Sequence, residues 1–248
     1  MRNSPIDRSR RAVLGTMLGG TGALMLGAAL WPARALAQSK TPIGIIGSGN
    51  IGGTIGGLWV KAGHPVMFSS RHPEELKDLA GKLGPLAKTG TVAQAIEFGQ
   101  VIFIAVPYGA VPQVGKDNAA ALKGKIVLDA CNAVATRDGA VAEEVEQNGI
   151  GVTSQKYLAG TRLVRAFNTM SYRTFASEAN RAAPRLAIPI AGDDAEAVRV
   201  ASALVADAGF DAVVVGKLAD ARRFQRGNPG YGQPVSANEL RQKLNLTQ

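Results

Sequence analysis

Short apolar runs alternate along the chain with longer segments in which apolar residues recur at helical spacing. The runs are IGII (43–46), VMFS (66–69), VIFIAV (101–106), KIVLDA (125–130), LVRAF (163–167), LAIPIAG (186–192) and FDAVVVG (210–216). Helical periods fall near 50–62, 73–83, 91–98, 109–122, 138–148, 194–208 and 217–226. This alternation predicts βαβ units. A run such as Val101–Val106, apolar at every position, suits a strand covered on both faces, so the sheet is expected to be doubly wound and largely parallel. The pattern predicts one α/β domain over 42–226, with a polar, Gly/Pro-rich tail at 227–248 ending in a weak helix. No internal repeat is present.

The first 37 residues follow another rule. Arg2, Arg8, Arg10 and Arg11 precede an uncharged Gly/Ala/Leu/Met-rich run from Ala12 to Leu30, and Ala35-Leu36-Ala37 supplies small residues at a cleavage site. A basic start, an apolar middle and an A-x-A end predict a cleaved export signal, with the cut after Ala37 and a linker over 38–41. The alternative is a transmembrane anchor, but the run is glycine-rich and short of the roughly 20 apolar residues of a span. Ser9-Arg10-Arg11 before a mildly apolar run resembles a twin-arginine signal. That predicts the twin-arginine translocase as a partner, a periplasmic or otherwise exported location, and no stable membrane insertion after cleavage.

Charge narrows the partners. The signal holds five arginines and one aspartate, which leaves about +5 of the formal +9 on the remainder. Aromatics make up 5% of the chain and no basic block is interleaved with them, so nucleic acid is not an expected partner. Cys131 is the single cysteine, and His64 and His72 are the two histidines, so neither a disulfide within the chain nor a transition-metal site is expected. With no histidine after it in the chain, Cys131 reads as a buried small residue rather than a nucleophile.

The candidate chemistry begins at Gly47-Ser48-Gly49-Asn50-Ile51-Gly52, between the first apolar run and the first helical segment. In a G-x-G-x-x-G turn the first glycine permits the sharp bend, and the second lets the backbone approach a pyrophosphate. The third allows helix and sheet to pack closely. The helix start then aims its amides and dipole at the phosphates. This turn specifies a Rossmann-type fold. At the end of the next strand an NAD site carries an acid for the ribose 2′-hydroxyl. Here Ser69-Ser70-Arg71-His72 stands instead, with no acid before Glu74. Ser70 can donate to a 2′-phosphate and Arg71 can clamp it, which favours NADP(H) over NAD(H); the other reading makes both ordinary loop residues. Further nucleotide-facing segments belong at the carboxyl ends of later strands: Val106-Pro107-Tyr108, with Tyr108 available to stack, and Asn132, a candidate partner for a ribose or carboxamide. Both segments also suit plain turns.

GIIGSGNIGGTIGG, FSSRHPEEL, IAVPYGAV, LVRAFNTM, AGDDAEAV and GFDAVVVGKLADAR, in that order, resemble the NADPH:deazaflavin-coenzyme oxidoreductase family. That family shares its nucleotide domain with pyrroline-5-carboxylate reductases and with ferric-reductase oxidoreductase domains. The resemblance implies pyrophosphate contacts at Ser48, Gly49, Asn50 and Ile51, and 2′-phosphate contacts at Ser70 and Arg71. It places Asn168, Thr169 and Met170 along the nicotinamide and Leu218 against a flavin-like acceptor ring. It also implies that no side chain acts as acid or base, and a homodimer is possible. An export signal, and the absence of an apolar helix after Arg223, depart from the family pattern.

The function expected is therefore an NADP(H)-dependent oxidoreductase that passes hydride to a small-molecule acceptor: flavin-like, quinone or metal complex. A non-catalytic NADP-binding module at the cell envelope is the alternative. An imine or hydroxy-acid reductase ranks lower, because such enzymes add a long all-helical domain where this chain returns to strand-like runs.

Overall fold

The computed structural model describes residues 40–246; the expected signal, 1–37, and the first half of its linker lie outside them. Eight strands form one sheet: β1 (Ile43–Ile46), β2 (Val66–Ser69), β3 (Ala87–Gly90), β4 (Val101–Ile104), β5 (Ile126–Asp129), β6 (Arg162–Arg165), β7 (Ala187–Gly192) and β8 (Asp211–Gly216). Their order is β3-β2-β1-β4-β5-β6-β7-β8. The first six are parallel, β7 is antiparallel to β6, and β8 is parallel to β7. This is the Rossmann order, widened by a two-stranded edge running the other way. The expected α/β, largely parallel, doubly wound domain is the one observed.

The helices are α1 (Asn50–Lys61), α2 (Lys77–Leu83), α3 (Val92–Phe98), α4 (Val111–Asp117), α5 (Ala119–Leu122), α6 (Ala135–Asp138), α7 (Ala140–Asn148), α8 (Ile150–Tyr157), α9 (Tyr172–Glu178), α10 (Ala195–Asp207) and α11 (Ala237–Lys243). Strand side chains alternate between two cores, one on each face of the sheet. Val101 and Phe103 join Ile55 and Trp59 of α1, Phe175 of α9 and Leu204 of α10. Ile102 and Ile104 join Ile96 of α3, Ile150 of α8 and Leu240 of α11. At the centre of the first core, the Trp59 ring meets Phe103 and Phe167 edge-on at 5.1 and 5.6 Å. Its indole N–H donates to the Leu204 carbonyl at 2.8 Å, tying α1 to α10.

Some elements depart from the pattern-based expectation. β3 (AKTG) is a short edge strand with no apolar run to announce it. In α8 (IGVTSQKY), β-branched and polar residues mask the helical period, yet Ile150, Gly151, Thr153 and Ser154 are buried. The expected helix at 217–226 is a 3-10 turn over 218–224. The segment from 227 does not trail away from the fold; it belongs to the same unit as the rest of the described chain. Its helix α11 starts at a capping box of Ser236 and Glu239 and turns Leu240 and Leu244 into the second core. Val235 accepts from the Ala187 amide at 2.9 Å just before it. Only a few inward positions carry this packing, so the composition reads as polar.

Replacing Trp59 by Ala removes an indole that touches three packed elements and leaves a large hole. A loss of about 3–5 kcal/mol is expected in denaturant unfolding.

Candidate functional site

Between β1 and β4 the strand order reverses, and the chain leaves both strands at the same edge of the sheet. That divergence opens a crevice at their carboxyl ends. Gly47 turns there with φ +94°, and a methyl group on it would meet the Ala105 carbonyl and the Val106 side chain at 2.6 Å. A methyl on Gly52 would land on the Gly47 carbonyl. Gly49 differs: it is exposed, and nothing lies within 4 Å of where its Cβ would stand. The second glycine therefore leaves open space, as a pyrophosphate site requires. No side chain caps the start of α1, and its first turn holds no acid. The leading amides of a twelve-residue helix are thus available to an anion. Asn50 is exposed beside this opening and Ile51 is half-buried.

The end of β2 stands across the crevice, whose volume is about 760 Å³ and whose walls include Gly47, Ser70, Arg71, Val106 and Pro107. Ser70 and Arg71 thus join the glycine turn in one cleft. The Ser70 hydroxyl oxygen accepts the His72 amide at 2.8 Å, which leaves its own proton free to donate outward. Arg71 is exposed and takes part in none of the ion pairs found among the described residues. Ser69 points the other way: fully buried, it donates to the Ile45 carbonyl at 2.6 Å. Its backbone carbonyl accepts from the Ser48 hydroxyl at 3.0 Å, so Ser48 and Ser69 brace β1 against β2.

Ser69 is thus no ligand contact, and two further expected contacts are corrected by the packing. Tyr108 is not free to stack on a ligand. It is fully buried, its hydroxyl is 3.0 Å from Ser154 Oγ on α8, and burial pushes the phenol well above its usual range. Leu218 is buried in the second core, its carbonyl is packed against Gly151, and it lines neither of the hollows at this edge. Both are apolar surfaces that helix α8 covers, which their positions after a strand could not reveal. Cys131 is buried as expected, and burial raises its thiol well above the ordinary value.

Asn132, Asn168, Thr169 and Met170 do come together. Asn132 Nδ2 donates to the Asn168 carbonyl at 2.6 Å, and Asn168 Nδ2 donates to the Phe224 carbonyl at 3.2 Å. Asn168 Oδ1 and Thr169 Oγ1 are buried with no partner among the described residues. Met170 closes the same turn at 9% exposure. Phe167 sets this turn by adopting φ +60°, a conformation that is uncommon outside glycine. Its ring is held by Trp59, Phe103, Phe175 and Phe210, so the packed aromatic cluster supports the strained backbone. Beside Asn132 lies a smaller hollow of about 320 Å³, floored by Ala142, Val145 and Ile150 and rimmed by Gln225 and Arg226.

Sequence reading missed Asp138. Its side chain is 2% exposed and accepts from Gly109 N at 3.1 Å and Val134 N at 2.8 Å. Arg137 pairs with it and also donates to the Asn132 carbonyl at 2.7 Å. One carboxylate thereby joins the loops after β4 and β5. The bonded Arg137 guanidinium holds the Asp138 carboxyl below its usual range, so the contribution of this clamp is complete at neutral pH and is lost only in acid. A lone Asp after Arg carries no signal of this role in the sequence.

Residues 42–133 match the family model described as NADP oxidoreductase coenzyme F420-dependent. This segment holds the glycine turn, Ser70–Arg71 and the first five strands, and it marks NADP(H) as the cofactor of this part of the sheet. Metalloreductase STEAP3 of Rattus norvegicus is 29% identical over 190 residues, 74% of this chain. The chain spans about a third of that protein's length, since the match covers 35% of it. A hypothetical protein from Sinorhizobium meliloti superposes with TM-score 0.66 at 24% identity, covering 79% of this chain and 95% of that one. A structure from Arthrobacter sp. FB24, provisionally assigned as an F420-dependent NADP reductase, gives TM-score 0.62 at 23% identity, covering 73% and 87%. At these identities the two structures establish the fold.

The three glycines are predicted to respond differently. Gly49→Ala should unfold within about 0.5 kcal/mol of the parent yet weaken NADPH binding, because its methyl enters ligand space. Gly47→Ala and Gly52→Ala should lose stability outright. Paired denaturation and NADPH titration separate the cases.

Proposed function

We propose that the chain is an NADP(H)-dependent oxidoreductase that moves hydride between nicotinamide and a small acceptor of flavin-like, quinone or metal-complex type. The observation that carries this reading is one cleft combining a glycine cradle, an uncapped helix start and a strand end with Ser70 and Arg71 in place of an acid. A carboxylate there would repel a 2′-phosphate, whereas a guanidinium and a hydroxyl proton attract it. The match over residues 42–133 supports the cofactor, and the likeness to a metalloreductase supports redox chemistry with a small acceptor.

NADP(H), when bound, supplies or receives the hydride. The chain's own residues position it. The Gly49–Gly52 backbone holds the pyrophosphate, Ser70 and Arg71 hold the 2′-phosphate, and Asn132 offers polar atoms to the carboxamide end, with Asn168 and Thr169 buried behind it. No side chain needs to act as acid or base, and Tyr108 and Cys131 are buried groups that hold their protons. Catalysis then rests on orientation and on keeping water out. With Leu218 buried, the hollow beside Asn132 is the proposed seat of the acceptor.

For location the reading is export. Arg10–Arg11 and Ala35-Leu36-Ala37 support export by the twin-arginine route, which carries folded cargo. An exported protein with this cleft takes its nucleotide along already bound. Protein purified from the periplasm is expected to hold NADP(H) near one per chain; empty protein with weak affinity rules this out.

Two further measurements test the function. Arg71→Ala should weaken NADPH by about 1.5–3 kcal/mol and leave NADH nearly unchanged, while equal loss for both removes the 2′-phosphate role. Stopped-flow oxidation of NADPH against flavins, deazaflavin, quinones and ferric chelates should reveal at least one acceptor. Silence with all of them, with NADPH still bound, favours the non-catalytic binding module.

A further inference from the structure

Beneath the loop that carries Asn132 lies a pair of opposite charges with no part in the contacts described so far. Asp129 ends β5, Arg165 ends β6, and the two are register partners on adjacent strands. Both side chains are 0% exposed, with Arg165 Nη1 2.5 Å from Asp129 Oδ2. Their other contacts converge on one residue. The Cys131 amide donates to Asp129 Oδ1 at 2.8 Å, and Arg165 Nη2 donates to the Cys131 carbonyl at 2.6 Å. The pair therefore grips both polar atoms of the backbone residue that precedes Asn132.

Stability is a poor reason for such a pair. Taking two charges out of water costs about as much as their attraction returns, and apolar residues of similar volume often serve the fold as well. Here the balance is worse than usual, because Arg165 Nε is buried with no acceptor among the described residues. What an apolar pair cannot do is hold the N–H and C=O of Cys131. The next residue then reaches across: Asn132 Nδ2 bonds the Asn168 carbonyl, and Arg137 holds the Asn132 carbonyl from the outer side. A shift at Cys131 therefore moves Asn132 and the turn it braces.

We propose that Asp129 and Arg165 are positioning residues for the nicotinamide end of the cofactor, fixing the Cys131–Asn132 backbone from beneath so that Asn132, braced on the Asn168 carbonyl, meets the carboxamide in one geometry. This rests on the cofactor reading above, so the test separates the two halves of NADPH. The double variant Asp129→Leu/Arg165→Met removes both charges together and leaves neither unpaired. It is expected to bind adenosine 2′,5′-bisphosphate within about two-fold of the parent, since that half sits over distant strands. Its affinity for NADPH is expected to fall about ten-fold, the scale of one lost hydrogen bond. A folded double variant that binds NADPH as tightly as the parent overturns the proposal.

Hydrogen exchange on the unaltered protein tests the grip without any substitution. The Cys131 amide should exchange as slowly as amides inside β5, and exchange at the rate of exposed loop amides overturns the proposal. If the unaltered protein binds NADPH no more tightly than adenosine 2′,5′-bisphosphate, the reading of the nicotinamide site fails instead, and the exchange rate still decides the grip.

Discussion

A methyl group at Gly47 would meet the Ala105 carbonyl at 2.6 Å, and one at Gly52 would land on the Gly47 carbonyl. The start of α1 therefore sits directly against the ends of β1 and β4, with no side chain between them. Because nothing fills that gap, the first amides of α1 open onto the crevice where the strand order reverses. The same closeness lets Trp59, at the far end of α1, reach Phe103 and Phe167 and bond the Leu204 carbonyl. A bulkier turn would lift the helix from the sheet and spoil both the phosphate cradle and the centre of the core.

The carboxyl edge of the sheet is organised by polar contacts that stand in for regular structure. The loops after β4 and β5 share the Asp138 carboxylate, the loop after β5 is held from below by Asp129 and Arg165, and Asn132 bridges to the turn after β6. Loops of this kind lack a repeating ladder, so each backbone group needs an individual partner. The turn at Phe167 adds strain, which the aromatic cluster around its ring balances. Rigid loops of this sort suit hydride transfer, where orientation is the main contribution that a protein makes.

Much of this was legible in the sequence for reasons of period and sterics. Runs such as VIFIAV declare strands covered on both faces, and GSGNIGG between a strand and a helix admits few structures other than a dinucleotide turn. The absence of an acid before Glu74 also needs no coordinates. Ser69, Tyr108 and Leu218 were not legible in the same way. Ser69 and Tyr108 stand next to residues that do reach the site, and Leu218 follows the end of β8, but a strand end fixes a position along the chain and not the direction of a side chain. Helix α8, whose β-branched and polar residues hide its period, is what covers Tyr108 and Leu218.

The sequence by itself determined the α/β alternation, the glycine turn and the residue types at the end of β2, because these depend on local backbone freedom and on hydrophobic period. Only the tertiary structure decided that β7 and β8 run against the other strands, that the polar segment after 227 packs as part of the fold, and that Asp129, Arg165 and Asp138 meet their partners. Those outcomes rest on contacts between residues far apart in the chain. A charge in a strand or an Asp in a loop gains its meaning from what the folded chain brings within 3 Å of it.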